Sequence, residues 1–74
     1  MKGGDYLRKN LKLFRVEKEL SQEQLAAEIG CDRAYYGHIE RGIRDGSNLF
    51  WSSLQNRFNL SNEKLERLQH NEKK

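Results

Sequence analysis

Proline is absent from this chain of 74 residues, which carries one cysteine, one methionine and two histidines. One cysteine rules out an intramolecular disulfide and supplies too few thiolates for a structural zinc site. His38 and His70 fall in separate elements, and no paired-carboxylate, Cys/His or metal-ligand grouping points to an enzyme. A chain this short also has little room for a closed pocket, so no cofactor, metal or small-molecule ligand is expected. No run approaches the roughly 20 apolar residues needed to cross a membrane, and no apolar signal-peptide segment stands near Met1. The chain is therefore expected in the cytoplasm, away from membranes. Without proline, with few β-branched residues and with 34% charged residues, it favours an all-α fold over a sheet. One domain over residues 1–74 follows, with a core so small that helix stacking must supply most of the stability.

What is present is a sharply written pair of helices at about 22–41. Ser21 is placed to cap the first, with Gln24 completing a capping box and Leu20 and Leu25 at staple positions. Leu25, Ala26 and Ile29 form one face, on which Ala26 is small enough for a second helix to cross closely. Gly30 suits the left-handed residue that ends a helix. Asp32 caps the second helix, whose inward residues are Tyr36 and Ile39, and Gly42 closes it. Cys31, just before Asp32, reads as a small buried apolar side chain, with a redox-sensing thiol as the sharper alternative.

Small residues at the crossing and the turn, with apolar residues around them, meet the steric needs of a helix-turn-helix. LSQEQLAAEIG with IERG resembles the DNA-binding domain of the lambda and 434 repressor and Cro family, strongly from about Leu7 to Arg44 and more weakly beyond. The resemblance implies a compact five-helix bundle and binding of double-stranded DNA. It also implies a partly buried ion pair between Arg15 and Glu40, and a phosphate contact by Gln22.

Leu7, Leu11 and Phe14 predict an amphipathic helix over Tyr6–Leu20, capped by Asp5, with 1–4 and 71–74 loose. IRDGSN is a turn-rich connector. Ser47 then caps a helix with Trp51, Leu54 and Phe58 on one face, and Ser61 caps a last helix carrying Leu65 and Leu68. Three features depart from the family pattern: Gly46 stands where proline is usual, Gln55 stands where alanine usually packs, and Leu49, Phe50 and Trp51 make an apolar cluster too wide for one stripe. Either two of the three complete the core, or the cluster contributes to a symmetric dimer contact.

The formal net charge of +3 has the right sign for a polyanionic partner. On the second helix, Arg33 is the expected base reader, since its guanidinium matches the O6 and N7 acceptors of guanine. Ala34 is placed for a thymine methyl, Gly37 for close approach of the helix backbone to DNA, and His38 for a base or a phosphate. Tyr35, Arg41 and Arg44 are expected phosphate ligands. One helix reads only a few base pairs, so a homodimer on a palindromic operator is expected, with half-sites about 34 Å apart. A controller protein of a restriction-modification system, a phage or plasmid repressor and an antitoxin all fit this reading. A docking module built on the same fold, such as an antitoxin or antirepressor, is the rival.

Overall fold

A computed structural model describes residues 6–70 and 72–73. Five helices appear: α1 Lys9–Glu17, α2 Gln22–Ile29, α3 Arg33–Glu40, α4 Asn48–Phe58 and α5 Asn62–Gln69. A two-residue antiparallel pairing joins β1, Tyr6–Leu7, to β2, Glu72–Lys73, with Tyr6 opposite Lys73 and Leu7 opposite Glu72. Residues 72–73, expected to be loose, thus lie against the start of the chain. Residues 1–4 and the expected cap Asp5 lie outside the described residues. The expected all-α bundle is present, and among the described residues no helix is long and apolar enough to cross a membrane.

Serine and aspartate set the helix starts. The Ser21 hydroxyl accepts from the Gln24 N–H at 3.0 Å while the Ser21 N–H donates to Gln24 Oε1 at 2.8 Å, the reciprocal capping box. Asp32 accepts from the Ala34 and Tyr35 N–H groups, Ser47 from that of Phe50 and Ser61 from that of Lys64. The start of α1 differs from expectation. Arg8 occupies the N-cap position without capping, because its side chain turns inward, and the helix is shorter at both ends than the apolar spacing suggests.

Ten residues make the core: Leu11 and Phe14 from α1, Leu25 and Ala26 from α2, Tyr36 and Ile39 from α3, Phe50, Trp51 and Leu54 from α4, and Leu68 from α5. α1 packs against α3 and α5, and α2 against α3 and α4. Aromatic edges join helices, with Phe14 of α1 T-shaped to Phe58 of α4 at 5.2 Å between ring centres and Tyr35 of α3 edge-on to Phe50 of α4 at 5.9 Å. Phe50 and Trp51 are therefore core residues, which corrects their assignment to a dimer surface. A helix turns about 100° per residue, so two neighbours can flank one inward stripe and the third must point out. Leu49 is that third residue, 75% exposed.

The other two departures, Gly46 and Gln55, have local causes. Gly46 has φ +84°, which proline's ring forbids, and a Cβ there would stand 2.8 Å from Trp51 Nε1. Glycine lets the connector tuck under the indole, whose N–H donates to the Asp45 carbonyl at 3.0 Å. Gln55 spans the α4–α5 turn, its Nε2 donating to the Leu60 carbonyl at 3.1 Å and to Asn62 Oδ1 at 2.8 Å.

Candidate nucleic-acid interface

The turn between α2 and α3 begins at Gly30, whose φ of +76° lies in the left-handed region. Only backbone conformation requires glycine there, since a Cβ would meet nothing within 4 Å. Ala26, 2% exposed, lies in the core on the helix that α3 crosses. Asp32 restarts the chain as α3 two residues after the glycine. This is the bend that sets the tilt between the helices.

Behind the crossing sits a buried polar group. The Glu40 carboxylate, 3% exposed, accepts from Arg15 Nε at 2.9 Å, Arg15 Nη2 at 3.3 Å, Gln22 Nε2 at 3.0 Å and the Tyr36 hydroxyl at 2.7 Å. Burial alone would raise this carboxyl. The hydrogen bonds from Arg15, Tyr36 and Gln22 together outweigh it, and hold Glu40 below the usual carboxylate range. Burial, then the bond to Glu40, pushes the Tyr36 phenol far up, so it stays a donor. The Glu40 hydrogen bond raises Arg15, which also gives Nη1 to the Leu20 carbonyl at 2.9 Å. One carboxylate thus ties α1, α2 and α3 together.

Outward from it opens a shallow cleft of about 210 Å³, lined by Gln22, Arg33, Ala34, Gly37, His38 and Arg41. It brings together the four residues expected at bases and two of those expected at phosphates. Arg33, Ala34 and Arg41 are exposed, while His38 and Gln22 are half-buried. Gly37 differs from expectation, being buried beneath the Gln22 side chain: a Cβ on it would stand 3.5 Å from Gln22 Oε1.

Tyr35 does not line this cleft. Its hydroxyl accepts from the Ser47 N–H at 3.0 Å and its ring stands edge-on to Phe50 at 5.9 Å, so it seams α3 to α4 rather than reaching for phosphate. Arg44 is exposed on the connector, which folds back on the end of α3 through bonds from the Ile43 and Arg44 N–H groups to the His38 carbonyl. Leu49 edges a separate groove of about 260 Å³ whose lining includes Ile29, Gly30, Cys31 and Tyr35. Cys31 is half-buried there. Burial, then Asp32, raises its thiol, as suits an inert apolar filler.

Arg8 is the residue that sequence reasoning missed. It is 5% exposed, and its guanidinium donates to the carbonyls of Ile39 at 2.8 Å, Arg44 at 2.9 Å, Gln69 at 3.0 Å and Asp45 at 3.4 Å. It also lies 5.5 Å from the Trp51 ring centre. Burial lowers its pKa, and Asp45 works in the other direction. Carbonyls at the ends of α3 and α5 carry partial negative charge, which offsets the cost of burying the cation. One signal for it exists: Arg8, Leu11 and Arg15 fall at i, i+3 and i+7 on one face.

Comparison with known proteins agrees with this geometry. The helix-turn-helix family matches residues 11–50, more than half of the chain. Over 32 residues the chain is 53% identical to a Neisseria meningitidis protein described as a hypothetical transcription factor, a stretch covering 43% of this chain and 30% of that protein. Over 38 residues it is 55% identical to the control protein C.MunI of a Mycoplasma species, covering 50% of this chain and 51% of that protein. The matches thus span about half or less of these relatives' lengths. No solved structure matches the chain. With the capped helix pair, the glycine bend and the family match in agreement, the chain belongs to the helix-turn-helix family of lambda and 434 repressor and Cro type.

Proposed function

We propose that this chain is a sequence-specific regulator of transcription that binds double-stranded DNA, with α3 in the major groove and no catalytic activity of its own. The observation that carries the reading is the cleft, where Arg33, Ala34, His38 and Arg41 stand around the outward face of α3 while the Glu40 network holds that helix from behind. Arg33 reads guanine, Arg41 and Arg44 take phosphates, and the backbone N–H groups at the start of α2 offer an anion site. The relatives described as a transcription factor and a control protein support a regulator, and of the kinds considered we favour the controller.

A homodimer on a palindromic operator completes the reading. Leu49, exposed at the start of α4 beside an apolar groove, supports it as a self-complementary contact. The test is duplex affinity as a function of salt for the protein and its Arg33→Ala variant. A DNA binder loses about 0.9 in log K per neutralised phosphate per unit of log salt, and Arg33→Ala removes about 1–3 kcal/mol of preference for guanine at one position. Absence of duplex binding at low salt would favour a protein-docking module instead.

A further inference from the structure

We propose that Arg8 is a positioning residue for DNA binding: from inside the molecule its guanidinium fixes the connector after α3, so that Arg44 is presented to a phosphate. This rests on the reading above, in which Arg44 takes a phosphate. The connector, residues 41–47, is neither helix nor strand, and Gly42 at φ +80° and Gly46 at φ +84° bend it towards either end. Arg44 lies exposed between those bends. An exposed arginine on a free loop gives up backbone and rotamer entropy when it meets a phosphate, which weakens the contact. Here the peptide groups on both sides of its Cα are tied. Its N–H donates to the His38 carbonyl at 3.2 Å, beside that of Ile43 at 2.8 Å, and its own carbonyl accepts from Arg8 Nη1 at 2.9 Å.

The same Nη1 donates to the Ile39 carbonyl at 2.8 Å, so one nitrogen joins the last turn of α3 to the connector. Nη2 reaches the Asp45 carbonyl at 3.4 Å, which also accepts from the Trp51 indole, and Nε holds the Gln69 carbonyl at the end of α5 at 3.0 Å. The fork is thus anchored in the core and aimed at the stretch that follows α3. Among the described residues its ion-pair partner is Asp45 at 3.9 Å, whose side chain is 98% exposed, so no buried carboxylate accounts for the cation. Buried ions add little net stability, whereas five donors in a rigid fork fix several carbonyls at once. Geometry is what this arginine supplies.

The test uses a duplex selected from a random pool by the unaltered protein. Affinity is measured against salt for that protein, Arg8→Lys, Arg44→Ala and the double variant, each well below its unfolding midpoint by Trp51 fluorescence. Arg8→Lys keeps the charge and loses the fork. It should make the slope of log K against log salt shallower by about 0.9, the share of one phosphate, which over the decade below 1 M amounts to roughly eightfold weaker binding at about 0.1 M. Arg44→Ala should do the same, and the double variant should bind no worse than Arg44→Ala. A residue that only stabilises the fold would leave the slope unchanged. Backbone order parameters of the unaltered protein, free of DNA, add a measurement that needs no variant: Arg44 should be as rigid as α3, at about 0.85. An unchanged slope in Arg8→Lys, a loss that adds in full to that of Arg44→Ala, or an order parameter at Arg44 below about 0.6 would overturn the proposal. Absence of duplex binding by the unaltered protein would instead defeat the DNA-binding reading, and the role of Arg8 with it.

Discussion

Replacing Glu40 by alanine should remove a third or more of the stability of this domain. The carboxylate accepts four hydrogen bonds, from Arg15 twice, from Gln22 and from Tyr36. Without it, the Tyr36 hydroxyl is left on a fully buried ring, and an orphaned buried donor costs about 1–3 kcal/mol. Arg15, its side chain 14% exposed, keeps only the Leu20 carbonyl, and breaking a buried ion pair costs about 3–5 kcal/mol. These costs overlap because the groups form one network, so a total near 4 kcal/mol is expected rather than their sum. A domain of this length holds about 4–11 kcal/mol in all. Trp51 is the one tryptophan and is buried, so its fluorescence follows unfolding in urea. At slopes of about 1–2 kcal/mol per molar, the midpoint should fall by roughly 2–4 M. Arg15→Met should cost less, because Glu40 keeps Tyr36 and Gln22. A loss below about 1 kcal/mol for Glu40→Ala would refute the reasoning, since that is the magnitude of a solvated surface pair.

Stability should also depend on pH through the same group. The folded carboxyl titrates below its unfolded value of about 4.3, so its contribution is present above that pH and is lost as pH falls through the folded value. Urea midpoints measured from pH 6 to pH 3 should drop at the acid end, and Glu40→Gln should flatten that drop. Gly46→Ala should destabilise by about 2–4 kcal/mol, since it adds a left-handed penalty and drives a methyl into the Trp51 ring; a thermal midpoint equal to that of the unaltered protein would contradict this. Gly37→Ala should do the opposite. Its methyl meets Gln22 at ordinary van der Waals distance, so the gain in helix propensity of about 1 kcal/mol should appear as a raised urea midpoint.

The helix pair was legible because its signals are local. Ser21, Gln24, Gly30 and Asp32 act on backbone groups within four residues, and those bonds are present. The inward positions of Leu25, Tyr36 and Ile39 follow from helical spacing alone. What escaped depends on contacts far apart in sequence. Arg8 reaches carbonyls 31 to 61 residues away, and nothing nearby distinguishes it from a solvated charge except its place beside Leu11 and Arg15. The Leu49–Phe50–Trp51 cluster is ambiguous by spacing, because any two neighbours can face in. Gly46 selects among them, since it leaves room for the indole. Helical spacing alone puts Tyr35 outward, yet α4 arrives beside it and the Ser47 N–H donates to its hydroxyl. The small size of Gly37 points to DNA in the sequence, whereas in the fold the Gln22 side chain of the preceding helix fills the space beside it.

Backbone amide shifts, followed by NMR during titration with a duplex carrying the selected site, would test the interface most directly. Perturbations should concentrate at Gln22, along Arg33–Arg41 and at Arg44, with the outer faces of α4 and α5 changing far less. Shifts gathered instead around Leu49 and the groove beside it, with the residues around Arg33 unmoved, would contradict an interface on the outward face of α3.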